Sequence, residues 1–338
     1  MPTTGPPLPA CPAPTTLREQ LSELVMVSLR SNDPAAGVRT LLANPFLGGV
    51  FLGGNDDRII LDPTFQQTAR SGRWFVAVDD EGGRVQRVDH IVGDLPAAAV
   101  QAGLDAGQIR EVARARGVTL RNLGINVDFA PVVDLSAALP GLIIGDRSYS
   151  PSAAVVETDA GAFAEGLRAG GVMPTLKHFP GHGRASGDSH AGPVLTPTLD
   201  DLGASDLLPY EDLPKQGLTA VMVGHLDVPG LTERGVPSSL SPAAYRLLRG
   251  GVGFGGVAFT DELADMKAVS SRFDAPTAVV AAIAAGADVA LLARPDPAPY
   301  ISALERAVSR GHLSTARVTE AVNRVLATKV ALGLGGCA

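Results

Sequence analysis

The sequence predicts a single (β/α)8 barrel of the TIM type, an α/β fold, on three observations. Eight short apolar runs rich in β-branched residues recur along the chain, separated by segments long enough for a helix. Most of these runs are continuous rather than alternating, which suits strands buried on both faces of a parallel sheet. No linker, repeat or shift in composition divides the chain after residue 16. A doubly wound open sheet is the competing topology.

The runs follow in order. LVMVSL (24–29), GGVFLGG (48–54), WFVAVDD (74–80) and INVDFAPVVD (125–134) supply the first four strands. GVMPTLKHF (171–179), LTAVMVGHL (218–226), GVAFTDEL (256–263) and ADVALLA (287–293) supply the rest. Helical segments are expected at 106–124, 151–171, 241–251 and 275–286, several of them ending in glycine, a common helix stop. Residues 314–333 read as a capped amphipathic helix that closes the barrel. The expected organisation is a flexible Pro/Thr-rich leader at 1–16 and one barrel domain at 17–338.

Composition bounds the function. At 338 residues and 45% hydrophobic, the chain can bury a large core and does not read as disordered. Its net charge of −7, without long basic runs, argues against a nucleic-acid partner. No apolar run reaches the roughly 18 residues of a membrane span. The leader MPTTGPPLPACPAPTT has no apolar signal core, and it also suits the mature end of an exported protein. The two cysteines, Cys11 and Cys337, stand near opposite termini, which a closed barrel brings together. A disulfide between them is expected to be within reach and would imply an oxidising compartment; two unrelated free thiols are the alternative. Leader and cysteines together tilt the expected location toward the cell envelope rather than the cytoplasm. A monomer is expected.

In such barrels the active site forms at the C-terminal ends of the strands. The polar residues there are Asp79, Asp80, Glu81, Asp134, Lys177, His178, His225, Asp227, Asp261 and Glu262. KHFPGHGRASGDSHAGP (177–193) adds His182, Asp188 and His190 among glycines and prolines. Pro180, Gly181 and Gly183 rule against a helical zinc pair of His178 and His182. A loop-borne zinc site with Asp188 and His190, acyl transfer by Ser186 or Ser189, and a solvated loop with incidental histidines all stay open. So does proton transfer by His190, since an imidazole can both give and accept a proton, with Asp188 orienting the ring. GVGFGG (251–256) precedes a strand instead of following one, so it reads as a turn and not a dinucleotide loop. Asp261 by itself could be merely a helix N-terminal acid.

Taken together, VDDEGGRVQR, NVDFAPVVD, GDRSYS, KHFPGHG followed by DSH, and FTDEL resemble glycoside hydrolase family 3, in particular its single-domain bacterial β-N-acetylglucosaminidases. The resemblance spans about residues 17–333. It implies that Asp261 is the nucleophile, His190 the general acid/base and Asp188 its polarising partner. It further implies that Asp79, Arg87, Arg147, Lys177 and His178 bind a GlcNAc-containing carbohydrate, with no cofactor and no metal. A phosphorylase of the same fold and a non-catalytic sugar-binding barrel are the alternatives. His182 is expected to shape the loop. The chain departs from the common pattern at Glu262, where a second aspartate is usual, and at GGNDDRIILDP after the second strand.

Overall fold

The computed structural model describes residues 13–30, 32–54, 58–139 and 142–334. Cys11 and Cys337, with most of the leader, lie outside the described residues. Thr16, at the end of the leader, caps the first helix, Leu17–Ser22, in a reciprocal capping box with Glu19.

Among the described residues ten strands are formed: β1 (Val25–Ser28), β2 (Gly49–Phe51), β3 (Phe75–Val78), β4 (Val127–Asp128), β5 (Met173–Phe179), β6 (Val194–Leu195), β7 (Ala220–Val223), β8 (Leu226–Asp227), β9 (Ala258–Thr260) and β10 (Ala290–Leu292). Eight pair in parallel in the order β10-β1-β2-β3-β4-β5-β7-β9. A parallel bridge between Phe259 and Val289 joins the two edges, and the Thr260 amide donates to the Val289 carbonyl at 3.0 Å. The sheet is therefore a barrel, not an open doubly wound sheet. Each of the eight apolar runs contributes one barrel strand. Two runs are interrupted. The fourth stops after Asp128, ahead of Pro131, which has no N–H to give the ladder, and resumes as a single bridge from Val132 to Lys177. The sixth splits, and its second piece, β8, pairs with β6 outside the barrel.

Residues from alternate positions fill the barrel. Met26, Phe75, Phe129, Met222, Phe259 and Leu291 belong to one interior cluster. Phe129 stacks on Phe51 at 5.6 Å and meets Phe259 edge-on at 5.4 Å. The opposite strand faces pack against the helices in a second, larger core. The C-terminal helix Thr315–Ala331 is capped by Ser314 and inserts Val325 into the interior cluster, sealing the N-terminal end of the barrel. There the buried Glu23 carboxylate meets Lys329 at 2.6 Å and Arg73 at 2.5 Å. GVGFGG is the predicted turn: it follows a helical turn at Leu247–Gly251, ends before β9, and has Gly253 at φ 78°.

Candidate active site

A cavity of about 420 Å³ opens at the C-terminal ends of the strands. Its floor is the top of the barrel interior, with Phe51, Phe129, Met222 and Leu291. Its walls carry Asp79, Arg87, Arg147, Lys177, His178, His190 and Asp261, from five separate stretches of sequence. Asp188 stands behind His190 and faces a neighbouring cavity.

The sugar-clamp candidates are held by ion pairs. Lys177, near the C-terminal end of β5 and almost fully buried, reaches Asp79 at 2.7 Å and Glu81 at 2.5 Å. Arg147 grips Glu81 bidentately, at 2.7 Å on each oxygen. Burial alone would raise the Glu81 pKa, but Arg147 and Lys177 outweigh it and hold the carboxyl below its ordinary range. Burial likewise opposes the Lys177 charge, and Asp79 and Glu81 overcome it, so the ammonium is retained. Arg87 lines the same wall; its Nε is buried without a partner.

Beneath this layer lie two further acids. The Asp80 amide donates to Asp128 at 2.9 Å, and the Asp80 carboxylate accepts the Arg87 amide at 2.9 Å, with Arg116 at 3.4 Å. Burial, then the proximity of Asp80, pushes the Asp128 carboxyl well up from its ordinary value. Asp80 therefore shapes the 79–87 loop and does not enter the cavity.

Asp134 is a shared anchor. Its carboxylate accepts the His178 ring Nδ1 at 2.7 Å, the His178 amide at 3.2 Å and the His182 amide at 2.6 Å. The Lys177–His178 and Phe179–Pro180 peptides are cis. Asp188 accepts both the His190 amide and its ring Nδ1 at 2.8 Å, leaving Nε2 as the ring's other nitrogen. Burial acts against the Asp188 charge, but the His190 hydrogen bonds prevail and lower its pKa. The loop is tied down at one side, where the amides of Ala268 and Lys267 donate to Ser189 and His190 carbonyls at 3.0 and 3.3 Å.

Asp261 follows β9 directly. Burial would favour its neutral form, but His225 and His178 outweigh burial and depress its pKa, so the carboxylate is ionised at neutral pH. His225 is fully buried, and burial lowers its pKa against the opposing pull of Asp261. Its Nε2 donates to the Glu262 carbonyl at 2.7 Å, and Nδ1 takes the Ser239 hydroxyl at 2.7 Å. The unusual Glu262 is an organiser. Its side chain accepts amides of Ala264, Asp265, Met266 and Ala293 at 2.6 to 3.2 Å.

The structure thus brings together seven of the eight candidate residues in one cavity and sets the eighth, Asp188, behind His190. Glu81 and His182 line the cavity as well, and Asp134 supports it from behind through His178 and His182; these were read as strand-end acids or loop structure without a site role. Among VDDE, only strand phase could have separated the residue facing the cavity from the one facing the helices. Among the described residues, no group of three or more His, Cys, Asp or Glu side chains is placed to hold a metal ion. His178 and His190 are committed to separate carboxylates, so the loop-borne zinc set is not assembled. The Ser186 hydroxyl accepts the Leu195 amide at 3.0 Å.

Residues 16–328 match the model of the glycosyl hydrolase family 3 N-terminal domain. The chain is 43% identical over 329 residues to beta-hexosaminidase LpqI of Mycobacterium tuberculosis, covering 94% of this chain and 84% of that protein. A family 3 glycosyl hydrolase from Mycobacterium smegmatis superposes with a TM-score of 0.89 at 42% identity, over 93% of this chain and 97% of that one. A family 3 β-N-acetylglucosaminidase from Paenibacillus gives a TM-score of 0.85 at 31% identity, over 95% of this chain and 64% of that one. With the barrel, the cavity at its C-terminal face and a family match over nearly its whole length, the chain belongs to glycoside hydrolase family 3.

Proposed function

We propose that the protein is a retaining exo-β-N-acetylglucosaminidase that removes terminal, non-reducing β-linked GlcNAc, with peptidoglycan fragments as its substrates. It is a glycoside hydrolase of the β-N-acetylhexosaminidase type, in keeping with the beta-hexosaminidase relatives. The observation that carries the finer reading is the pairing in one cavity of an ionised Asp261 with a carboxylate-backed His190.

Double displacement needs a nucleophile and a group that gives and then takes a proton. In the first step an Asp261 oxygen bonds to the anomeric carbon as the glycosidic bond breaks. His190 Nε2 delivers its proton to the departing oxygen, while Asp188 keeps the ring oriented and stabilises its charged form. In the second step the now neutral His190 takes a proton from water. The resulting oxygen bonds to the anomeric carbon and releases Asp261. Lys177, Asp79 and Arg147 are matched donors and acceptors for sugar hydroxyls, and the apolar floor suits a pyranose face.

Asp261→Ala is expected to cut turnover of an aryl β-GlcNAc by at least about 10³-fold with an unchanged melting curve. Near-wild-type turnover would remove Asp261 from this role. NMR of the first-formed anomer checks retention, for which β-GlcNAc is the expected product. A phosphorylase reading is favoured by one feature: a histidine acid repels incoming phosphate less than a carboxylate would. Accumulation of GlcNAc-1-phosphate in phosphate buffer would select it over hydrolysis. A non-catalytic sugar-binding barrel would show no turnover of any aryl β-GlcNAc.

A further inference from the structure

His182 is an imidazole whose surroundings do not account for it. It sits on the cavity wall beside His178, Ser189, His190 and Asp261, with 4% of its surface exposed. Its ring meets that of His178 edge-on at 5.8 Å. The two histidines share Asp134, but unequally. His178 gives Asp134 its ring nitrogen, whereas His182 gives only its backbone amide. The His182 Nδ1 is buried and has no hydrogen-bond partner. Burial also lowers the ring's pKa, which leaves a neutral imidazole with one donor and one acceptor nitrogen.

Loop shaping explains the amide but not the ring. Any residue other than proline supplies an N–H to Asp134. A ring used only as filler would be better replaced by an apolar side chain, since an unpaired buried polar atom is costly. The position also matters. His182 lies between the clamp residues Lys177 and His178 and the acid/base pair Asp188 and His190, and it feels the charges of both Asp261 and Asp188.

We propose that His182 is a substrate-contacting residue whose imidazole hydrogen-bonds a hydroxyl of the non-reducing sugar, between the clamp and the acid/base loop. This rests on the reading of the cavity as a sugar site. A hydroxyl suits the ring because it can donate or accept, whichever nitrogen carries the proton. On this view the ring meets the hydroxyl from the cavity wall, and being neutral it adds no charge that would compete with His190.

The test is a double-mutant cycle. Affinities of GlcNAc and its monodeoxy analogues are measured by calorimetry for wild type, His182→Phe and His182→Gln. Removing one particular hydroxyl is expected to weaken binding to wild type about tenfold and to His182→Phe by less than about twofold. His182→Gln, which keeps a donor and an acceptor, is expected to retain part of the difference. The melting temperature of His182→Phe should not fall below wild type, because an unpaired polar group is removed. If every deoxy analogue loses equally against wild type and His182→Phe, the proposal is overturned; if His182→Phe fails to fold, the same equality against His182→Gln overturns it. The sugar-site reading fails separately, if wild type binds no GlcNAc and turns over no aryl β-GlcNAc.

Discussion

At the scale of residues, the proposed division of labour rests on two carboxylates tuned the same way by different means. Asp261 is kept ionised by neighbouring histidines against burial, and Asp188 by the hydrogen bonds of His190. The first would attack carbon and the second would hold a ring. His190 itself is exposed, its side chain 66% accessible, which suits the proposed proton donor to a leaving group at the cavity mouth. That geometry predicts a selective defect. His190→Ala should slow substrates with poor, alkoxide-like leaving groups by about 10²- to 10⁴-fold. Aryl glycosides, which depart with little protonic help, should be slowed far less. The comparison requires kcat/KM for a disaccharide and for an activated aryl β-GlcNAc; equal losses would place His190 outside proton transfer. Asp188→Asn should follow the same pattern more weakly, since the ring remains but loses its charged partner.

At the scale of elements, the site is a set of strand-to-helix loops pinned from below. Asp134, at the end of the fourth apolar run, ties β5 and the start of the 182–193 loop to its neighbour through three hydrogen bonds. Asp134→Ala strands the His178 ring and two buried amides, so a loss of about 3–5 kcal/mol is expected in urea unfolding. Asp134→Asn retains an acceptor oxygen and should cost less, with the activity loss of both variants exceeding their loss of fold. Asp134→Ala with wild-type stability would show that these bonds are not needed to hold the loop. The strands were legible because burial on both faces writes continuous apolar runs, and the helices because glycines and caps mark their ends. Lys177 and His178 were legible as polar residues ending such a run. Asp134 and Glu81 were visible as acids but not as anchors, because even the His178 ring on Asp134 and Arg147 on Glu81 lie 44 and 66 residues away. The split of LTAVMVGHL into β7 and β8 was not legible either: it depends on β6, a two-residue strand with no periodicity of its own.

At the scale of the whole molecule, buried titratable groups stand at both ends of the barrel, and those at the C-terminal end help to set its response to pH. His182 and His225 are both held below the ordinary histidine value of about 6.5 by burial. A group with a depressed folded pKa stabilises the fold above its unfolded pKa and loses that contribution as pH falls toward the folded one. Acidification from pH 7 to 5 protonates these rings in the unfolded chain before the folded one, so stability must decline over that interval. Asp128 acts in the opposite sense. Its folded pKa is raised, so its contribution is full below the unfolded value near 3.9 and is lost as pH rises. At neutral pH it is therefore a cost, tolerated because its Oδ1 holds the Asp80 amide. Asp128→Asn keeps that acceptor and removes the ionisation. Its melting temperature should exceed wild type at pH 7, and the gap should close near pH 4. His225→Gln should flatten the slope between pH 7 and 5 while lowering stability overall, because Gln cannot reproduce both the Ser239 and Glu262 contacts at the same spacing. Melting curves for the three proteins from pH 8 to 4 separate the two effects. Parallel curves for wild type and Asp128→Asn would mean that Asp128 does not titrate with folding, and that its burial is compensated by groups other than a proton.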